Sequence, residues 1–186
     1  PGYADRAGSG RRELDLTSAE ITALVADQIR SLDELAAAAG VSLAHVKPHG
    51  ALYNQAVYDE RIARAVVEGV RAHTPAIAVF APPESALLRA AGDAGLRGVR
   101  EAFADRSYQA NGRLVPRSQP GAVITDQAAV VERARRLVLE GTLTAASGEV
   151  VAVPCDTICV HADTPGAAAL ARAIRDDLMR AGVRVG

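Results

Sequence analysis

The sequence predicts an α/β fold in which a mostly parallel sheet is covered by helices, either open or closed as a barrel. Three observations predict it. Helical and extended segments alternate along the chain. The run Ala76-Ile77-Ala78-Val79-Phe80 is apolar throughout, as expected of a strand buried on both faces. Helix-start signals recur at Thr17 with Glu20, at Thr125, and at Thr164-Pro165. The 186 residues fit one domain that can bury a core of its own.

The elements follow in order. Thr17-Ser18-Ala19-Glu20 is a capping box opening a helix to about Ala39, which Gly40 closes. Leu43 to Lys47 reads as a short strand that Pro48 ends. Tyr53 to about Arg71 is a second helix with Ile62, Val66 and Val70 on one side. After the apolar strand Ala76 to Phe80, a helix runs from Pro83 to about Ala94, and Leu96 to Phe103 is another strand. Ala104 to Gly121 is polar and reads as a hairpin excursion with its turn at Asn111-Gly112. Thr125 caps a helix to about Glu140. Glu149 to Val153 and Thr157 to His161 are extended. Thr164 as N-cap and Pro165 at the first helical position open a last helix to about Arg180.

Bulk composition removes several function classes. Hydrophobic residues are 49%, charged residues 23%, and the net charge is −1. That balance gives no reason to expect nucleic acid or an anionic membrane as partner. No apolar run approaches the ~20 residues of a spanning helix. No signal peptide is visible at the start, where the chain begins with Pro1. Cys155 and Cys159 suit a reducing cytoplasm, the expected location, and no second pair makes a zinc site.

Chemistry concentrates in three clusters. Of the 21 Lys and Arg residues one is lysine, Lys47, in Val46-Lys47-Pro48-His49-Gly50. A lysine offers a compact point charge with a shiftable pKa, which arginine does not. Strand alternation puts Leu43, His45, Lys47 and His49 on one face, and Gly50 lets backbone or ligand come close. Three nitrogen groups on one face need partners or water, which favours a site at the strand ends. The second cluster is Glu101-Ala102-Phe103-Ala104-Asp105-Arg106, continuing to Tyr108. Glu101 and Asp105 form a candidate carboxylate pair near Arg106, and an ordinary Asp–Arg salt bridge at a loop base would use the same residues. Arg113 and Arg117 either face an anionic ligand or are simply solvated. In the third cluster Cys159, His161 and Asp163 share a face. His161 and Asp163 suit acid–base chemistry or metal binding, while Asp163 and Thr164 suit helix capping equally well. A P-loop, a Gly-x-Gly-x-x-Gly turn after a strand, a Gly-x-Ser-x-Gly elbow and a His-Glu-x-x-His helix are all missing.

These clusters, in this order, resemble the LamB/YcsF family, to which the A component of the bacterial ATP-dependent 5-oxoprolinase belongs. The matching segments are Val46-Lys47-Pro48-His49-Gly50-Ala51-Leu52-Tyr53-Asn54; Glu101 to Tyr108 with Gly112-Arg113-Leu114-Val115-Pro116-Arg117; and Ile158-Cys159-Val160-His161 with Asp163-Thr164-Pro165-Gly166-Ala167. Arg11-Arg12-Glu13-Leu14 matches as well. The resemblance covers nearly the whole chain and implies a distorted (β/α) barrel of the glycoside hydrolase/deacetylase type. Family members are longer. They begin with an acidic Asp-Leu-Asn-type strand, an Asn-Ile-Ala-Cys-Gly-x-His-Ala-Gly-like segment and an Ala-His-Pro strand end, and this chain starts at that last proline. The expectation is therefore one barrel domain over 1–186, incomplete for want of its first strands. Its exposed edges would be covered by a partner or by a second copy in a homo-oligomer. A second departure is small: Ala162 stands in His161-Ala162-Asp163 where the family usually has glycine.

The resemblance implies the reaction 5-oxo-L-proline + ATP + 2 water → L-glutamate + ADP + phosphate, with subunits B and C as partners. ATP is the co-substrate, and magnesium or another divalent metal is an expected companion. In this reading Lys47 neutralises developing charge, and His49 or His161 moves protons. Glu101 or Asp105 orients a histidine or binds magnesium. Substrate contacts fall to Asn54, Arg106, Tyr108, Arg117 and Asp163, with Arg106 or Arg117 gripping the substrate carboxylate. Two rival classes are a stand-alone metal-dependent amidohydrolase or deacetylase, using His49, His161 and Asp163 as ligands, and an inactive truncated remnant.

Overall fold

Thr17 starts the first helix by the predicted device. Its hydroxyl accepts from the Glu20 N–H at 3.3 Å while the Glu20 carboxylate accepts from the Thr17 N–H at 2.8 Å. This capping box opens α1 (Ser18–Ala38). At the far end Gly40, at φ +72°, turns the chain so that the Val41 N–H donates back to the Ala36 carbonyl at 3.0 Å. Thr17→Ala is expected to lower stability by about 1 kcal/mol, read as a lower urea midpoint at unchanged m-value.

The computed structural model describes residues 1–73, 77–161 and 166–186. It divides into two compact units, Pro1–Arg100 and Glu101–Gly186. The first unit holds α1, β1 (His45–Val46), α2 (Gly50–Tyr58), α3 (Glu60–His73), β2 (Ala78–Ala81), α4 (Ala86–Asp93) and the first half of β3 (Gly98–Phe103). Both ladders in it are parallel: His45 and Val46 pair with Ala78 and Val79, and Val79 to Ala81 pair with Gly98 to Arg100. Its core joins Ile21, Val25 and Ile29 of α1 to Ile62, Val66 and Val70 of α3 and Val79 of β2. Helices α1 and α3 meet closely at Gly69, where a Cβ would lie 2.7 Å from the Thr22 carbonyl oxygen.

The second unit holds the second half of β3, α5 (Gln127–Glu140), β4 (Thr142–Thr144), β5 (Val150–Ala152), β6 (Thr157–Cys159) and α6 (Ala167–Arg180). Here Glu101 to Phe103 pair in parallel with Thr157 to Cys159. Val130, Ala134 and Leu137 of α5 are buried, as are Leu170, Ile174 and Leu178 of α6. The architecture is thus α/β with parallel strands, as predicted.

Several boundaries differ from expectation, each for a local reason. The strand expected over 43–47 is two residues long. The helix expected over 53–71 begins at Gly50 and breaks at Asp59, whose backbone is extended (φ −100°, ψ 110°). The Asp59 carboxylate accepts from the Arg61 and Ile62 N–H groups at 2.8 and 3.1 Å, so it restarts the helix as α3. The helix predicted from Pro83 starts at Ala86, where Ser85 accepts from the Leu88 N–H at 3.1 Å. Asp126, not Thr125, caps α5, accepting from the Ala128 N–H at 2.9 Å. Strand β4 was not foreseen; it pairs antiparallel with β5 directly after Gly141 ends α5 in the left-handed region. Gly166 stands at the N-cap of α6; the predicted cap Thr164 and Pro165 lie outside the described residues. The excursion matches its prediction: Gly112 has φ +76°, Gln109 N–H donates to Arg113 O at 2.7 Å, and Tyr108 bridges Leu114 antiparallel. No helix among the described residues is long and apolar enough to cross a membrane.

Candidate active site

Paired residues of a parallel ladder project to the same side. Glu101 pairs with Thr157 and Phe103 with Cys159, so these four share one face. His161, two residues past Cys159, continues it: the His161 and Phe103 rings stack with centroids 5.4 Å apart at 17°. Glu101 is buried on this face. Directly after β3 the chain turns and presents Asp105. Its carboxylate oxygens lie 2.9 and 3.1 Å from His161 Nδ1, and the His161 backbone N–H points at the same carboxylate at 3.4 Å. The Asp105 side chain is 1% exposed and that of His161 is 21% exposed. A buried carboxylate must find donors, and here its partners include the ring and the backbone of one histidine.

This geometry assigns the tautomer. A carboxylate can only accept, so Nδ1 carries the proton, and in the neutral ring Nε2 is then the acceptor. The pair is suited to general base chemistry: Nε2 takes a proton, and Asp105 stabilises the resulting imidazolium.

The turn carrying Asp105 is held by its carbonyls. Arg133 Nε donates to Ala104 O at 3.1 Å and Arg133 Nη2 to Arg106 O at 2.8 Å. Between them the Ile124 N–H donates to Asp105 O at 2.9 Å. The Arg106 guanidinium is buried and donates to Ala122 O at 3.1 Å and Val115 O at 2.6 Å, tying the base of the excursion together. Burial pushes both guanidinium groups below their usual pKa. The Tyr108 hydroxyl accepts from the Phe103 N–H at 2.9 Å, and burial drives its pKa up. Arg106 and Tyr108, expected at the substrate, thus brace the loop with these donors and this hydroxyl. Arg117 is exposed on the excursion, and Asp163 lies outside the described residues.

In the first unit each nitrogen group of the Lys47 cluster has its own surroundings. His45 stacks on Phe80 at 4.0 Å. The Lys47 ammonium sits 5.6 Å from the centre of the buried Tyr53 ring, a cation–π contact. His49 stands at the N-cap position of α2; its N–H donates to Pro1 O at 2.7 Å and its Nε2 lies 3.2 Å from Ser9 O. The close approach foreseen at Gly50 is made by backbone: Ala51 N–H donates to Gly10 O at 2.9 Å. An open cleft of about 600 Å³ lies beside His49, lined also by Tyr3, Asp5, Ser9 and Gln28. Asn54 is exposed on α2.

A sequence model described as the LamB/YcsF family matches residues 1–186. This chain belongs to the LamB/YcsF family. Among proteins similar to it is the A component of 5-oxoprolinase from Streptomyces coelicolor, 54% identical over 184 residues, which make up 99% of this chain and 74% of that protein. The corresponding 5-oxoprolinase component of Syntrophobacter fumaroxidans is 48% identical, covering 100% of this chain and 73% of that one. A lactam utilization protein from Thermus thermophilus, solved as a crystal structure, matches with a TM-score of 0.92 at 45% identity, over 100% of this chain and 74% of that chain. For a LamB/YcsF chain, then, the residue that sequence reasoning passed over is Arg133. A signal was present: Arg133 lies at the edge of the apolar stripe Val130, Ala134, Leu137, where a solvated arginine is out of place.

Proposed function

We propose that this LamB/YcsF chain is one subunit of an ATP-dependent 5-oxoprolinase that opens the lactam of 5-oxo-L-proline to L-glutamate, assembled with subunits B and C. The observation that carries the reading is the His161–Asp105 pair, a buried carboxylate on a half-buried imidazole. It is supported by kinship with proteins named as the A component of 5-oxoprolinase. Hydrolysis of an unstrained lactam is unfavourable, and coupling to ATP makes it feasible. Phosphorylation of the lactam oxygen yields ADP; water then adds to the activated carbon, the C–N bond breaks with a proton passing to the ring nitrogen, which stays as the α-amino group, and a second water releases phosphate from the resulting acyl phosphate to leave glutamate. His161 takes the proton from the attacking water through Nε2. His161 is preferred to His49 as the base, because the Asp105 carboxylate stabilises its imidazolium, whereas His49 Nε2 faces the neutral Ser9 carbonyl. Lys47 supplies a compact positive charge for the developing negative charge. Among the described residues no three His, Cys, Asp or Glu side chains are grouped as metal ligands.

The test is glutamate release from 5-oxoproline by the protein with subunits B and C, with and without ATP. ATP-dependent release is expected; release that needs a divalent metal but no ATP would transfer the pair to a stand-alone amidohydrolase. In the same assay Lys47→Arg is expected to lower turnover about 100-fold, since arginine keeps the charge but spreads it over a larger plane. Unchanged turnover removes Lys47 from the chemistry.

A further inference from the structure

We propose that Arg133 is a positioning residue for the His161–Asp105 pair: its guanidinium pins the backbone carbonyls on both sides of Asp105 and thereby sets the ring tautomer of His161. The inference rests on the proposed function for its kinetic consequence but not for its structural one.

The argument runs through the backbone. Asp105 lies in a turn after β3, where the lone antiparallel bridge of Arg106 with Val123 bonds the Asp105 carbonyl and leaves those of Ala104 and Arg106 to a side chain. All three carbonyls around it are bonded: Ala104 O and Arg106 O to Arg133, and Asp105 O to the Ile124 N–H. Arg133 reaches them from α5, a helix of 14 residues anchored by the Asp126 cap and by buried Val130, Ala134 and Leu137. Its third donor, Nη1, bonds Thr144 O of β4 at 3.1 Å, so the guanidinium is fixed by three carbonyls from two segments. The planar fork of arginine fits this pattern, because its donors stand at set separations; an ammonium has no such fork. With the turn fixed, the Asp105 carboxylate has one place to be, within 2.9 Å of Nδ1 and facing the His161 N–H. If the turn shifts by an ångström, the carboxylate leaves Nδ1. Nothing then holds the proton there, and in the other tautomer Nε2 carries the proton and cannot act as a base.

The experiment uses the protein with 15N-labelled histidine. The His161 signals are assigned by their loss in His161→Gln, and the nitrogen shifts are read in Arg133→Lys and Arg133→Met alongside steady-state kinetics with the partner subunits. The wild type is expected to show protonated Nδ1 and unprotonated Nε2. Both Arg133 variants are expected to move these shifts toward the opposite tautomer, with kcat about 10- to 100-fold lower and KM within twofold. Arg135→Ala, which alters the same helix at an exposed residue 3.8 Å from Asp177, is expected to change neither. If Arg133→Met fails to fold, Arg133→Lys decides. A folded Arg133→Lys with wild-type shifts and kcat overturns the proposal, as does an equal change in Arg135→Ala. Loss of the tautomer signature in a protein that never turns over 5-oxoproline upholds the positioning role and sinks the functional reading instead.

Discussion

Asp105→Asn is expected to lower 5-oxoproline turnover by on the order of 10³- to 10⁴-fold while leaving the fold in place. The size follows from counting donors and acceptors. Among its partners Asp105 faces two donors of one residue, His161 Nδ1–H and the His161 backbone N–H. A carboxylate accepts both. Asparagine has nearly the same shape but offers one acceptor oxygen and one donor amide. If its oxygen keeps the backbone N–H, its NH₂ faces Nδ1, and the ring responds by moving its proton to Nε2. The base is then lost. If its oxygen keeps Nδ1, the amide opposes a backbone donor at a side chain that is almost wholly buried. Either way no negative charge remains to stabilise the imidazolium. Steady-state kinetics with the partner subunits, beside a thermal melt to confirm folding, checks this. A turnover within tenfold of wild type means that His161 is not the base.

Gly50→Ala is expected to destabilise the first unit by at least about 2 kcal/mol, from the left-handed backbone plus a clash. Gly50 has φ +63°, a region that costs a residue with a Cβ roughly 1–2 kcal/mol. The added methyl would also lie 2.3 Å from the Gly10 carbonyl oxygen, which is backbone and cannot swing aside. That carbonyl accepts from the Ala51 N–H, so relief of the clash breaks the bond that seats the loop of residues 1–12 on the start of α2. For a chain of this size a loss of that order lowers the melting temperature by roughly 4–8 °C. A melting temperature within a degree of wild type would show that the loop relaxes freely.

Much of the fold was legible because its signals are local. The Thr17 capping box, the Gly40 stop and the Asn111-Gly112 turn were each read from a few adjacent residues and stand as read. The errors share a cause. Asp59 splits a helix that hydrophobic spacing joins, because spacing does not register a carboxylate that takes up backbone N–H groups. Strand β4 was invisible because three residues, Thr142 to Thr144, carry too little pattern, and their strand character comes from the partner β5. At the site, Asp105 and His161 were both named from sequence as separate candidates, 56 positions apart, and Arg106 and Tyr108 were named for substrate although their polar groups hold the loop's backbone.

By itself, then, the sequence determined the order of helices and strands apart from β4 and the break at Asp59, the parallel habit of the apolar runs, and the short inventory of groups able to do acid–base work. Caps, turns and burial patterns act between neighbours, and neighbours are what a sequence displays. The tertiary structure alone decided which candidate carboxylate meets which histidine, which nitrogen of that ring holds the proton, and that Arg133 bonds the carbonyls on either side of Asp105. Those outcomes depend on the β3–β6 register and on where α5 lies against a turn. Both are set by the packing of residues distant along the chain, and a shift of one residue in that register would dissolve the pair.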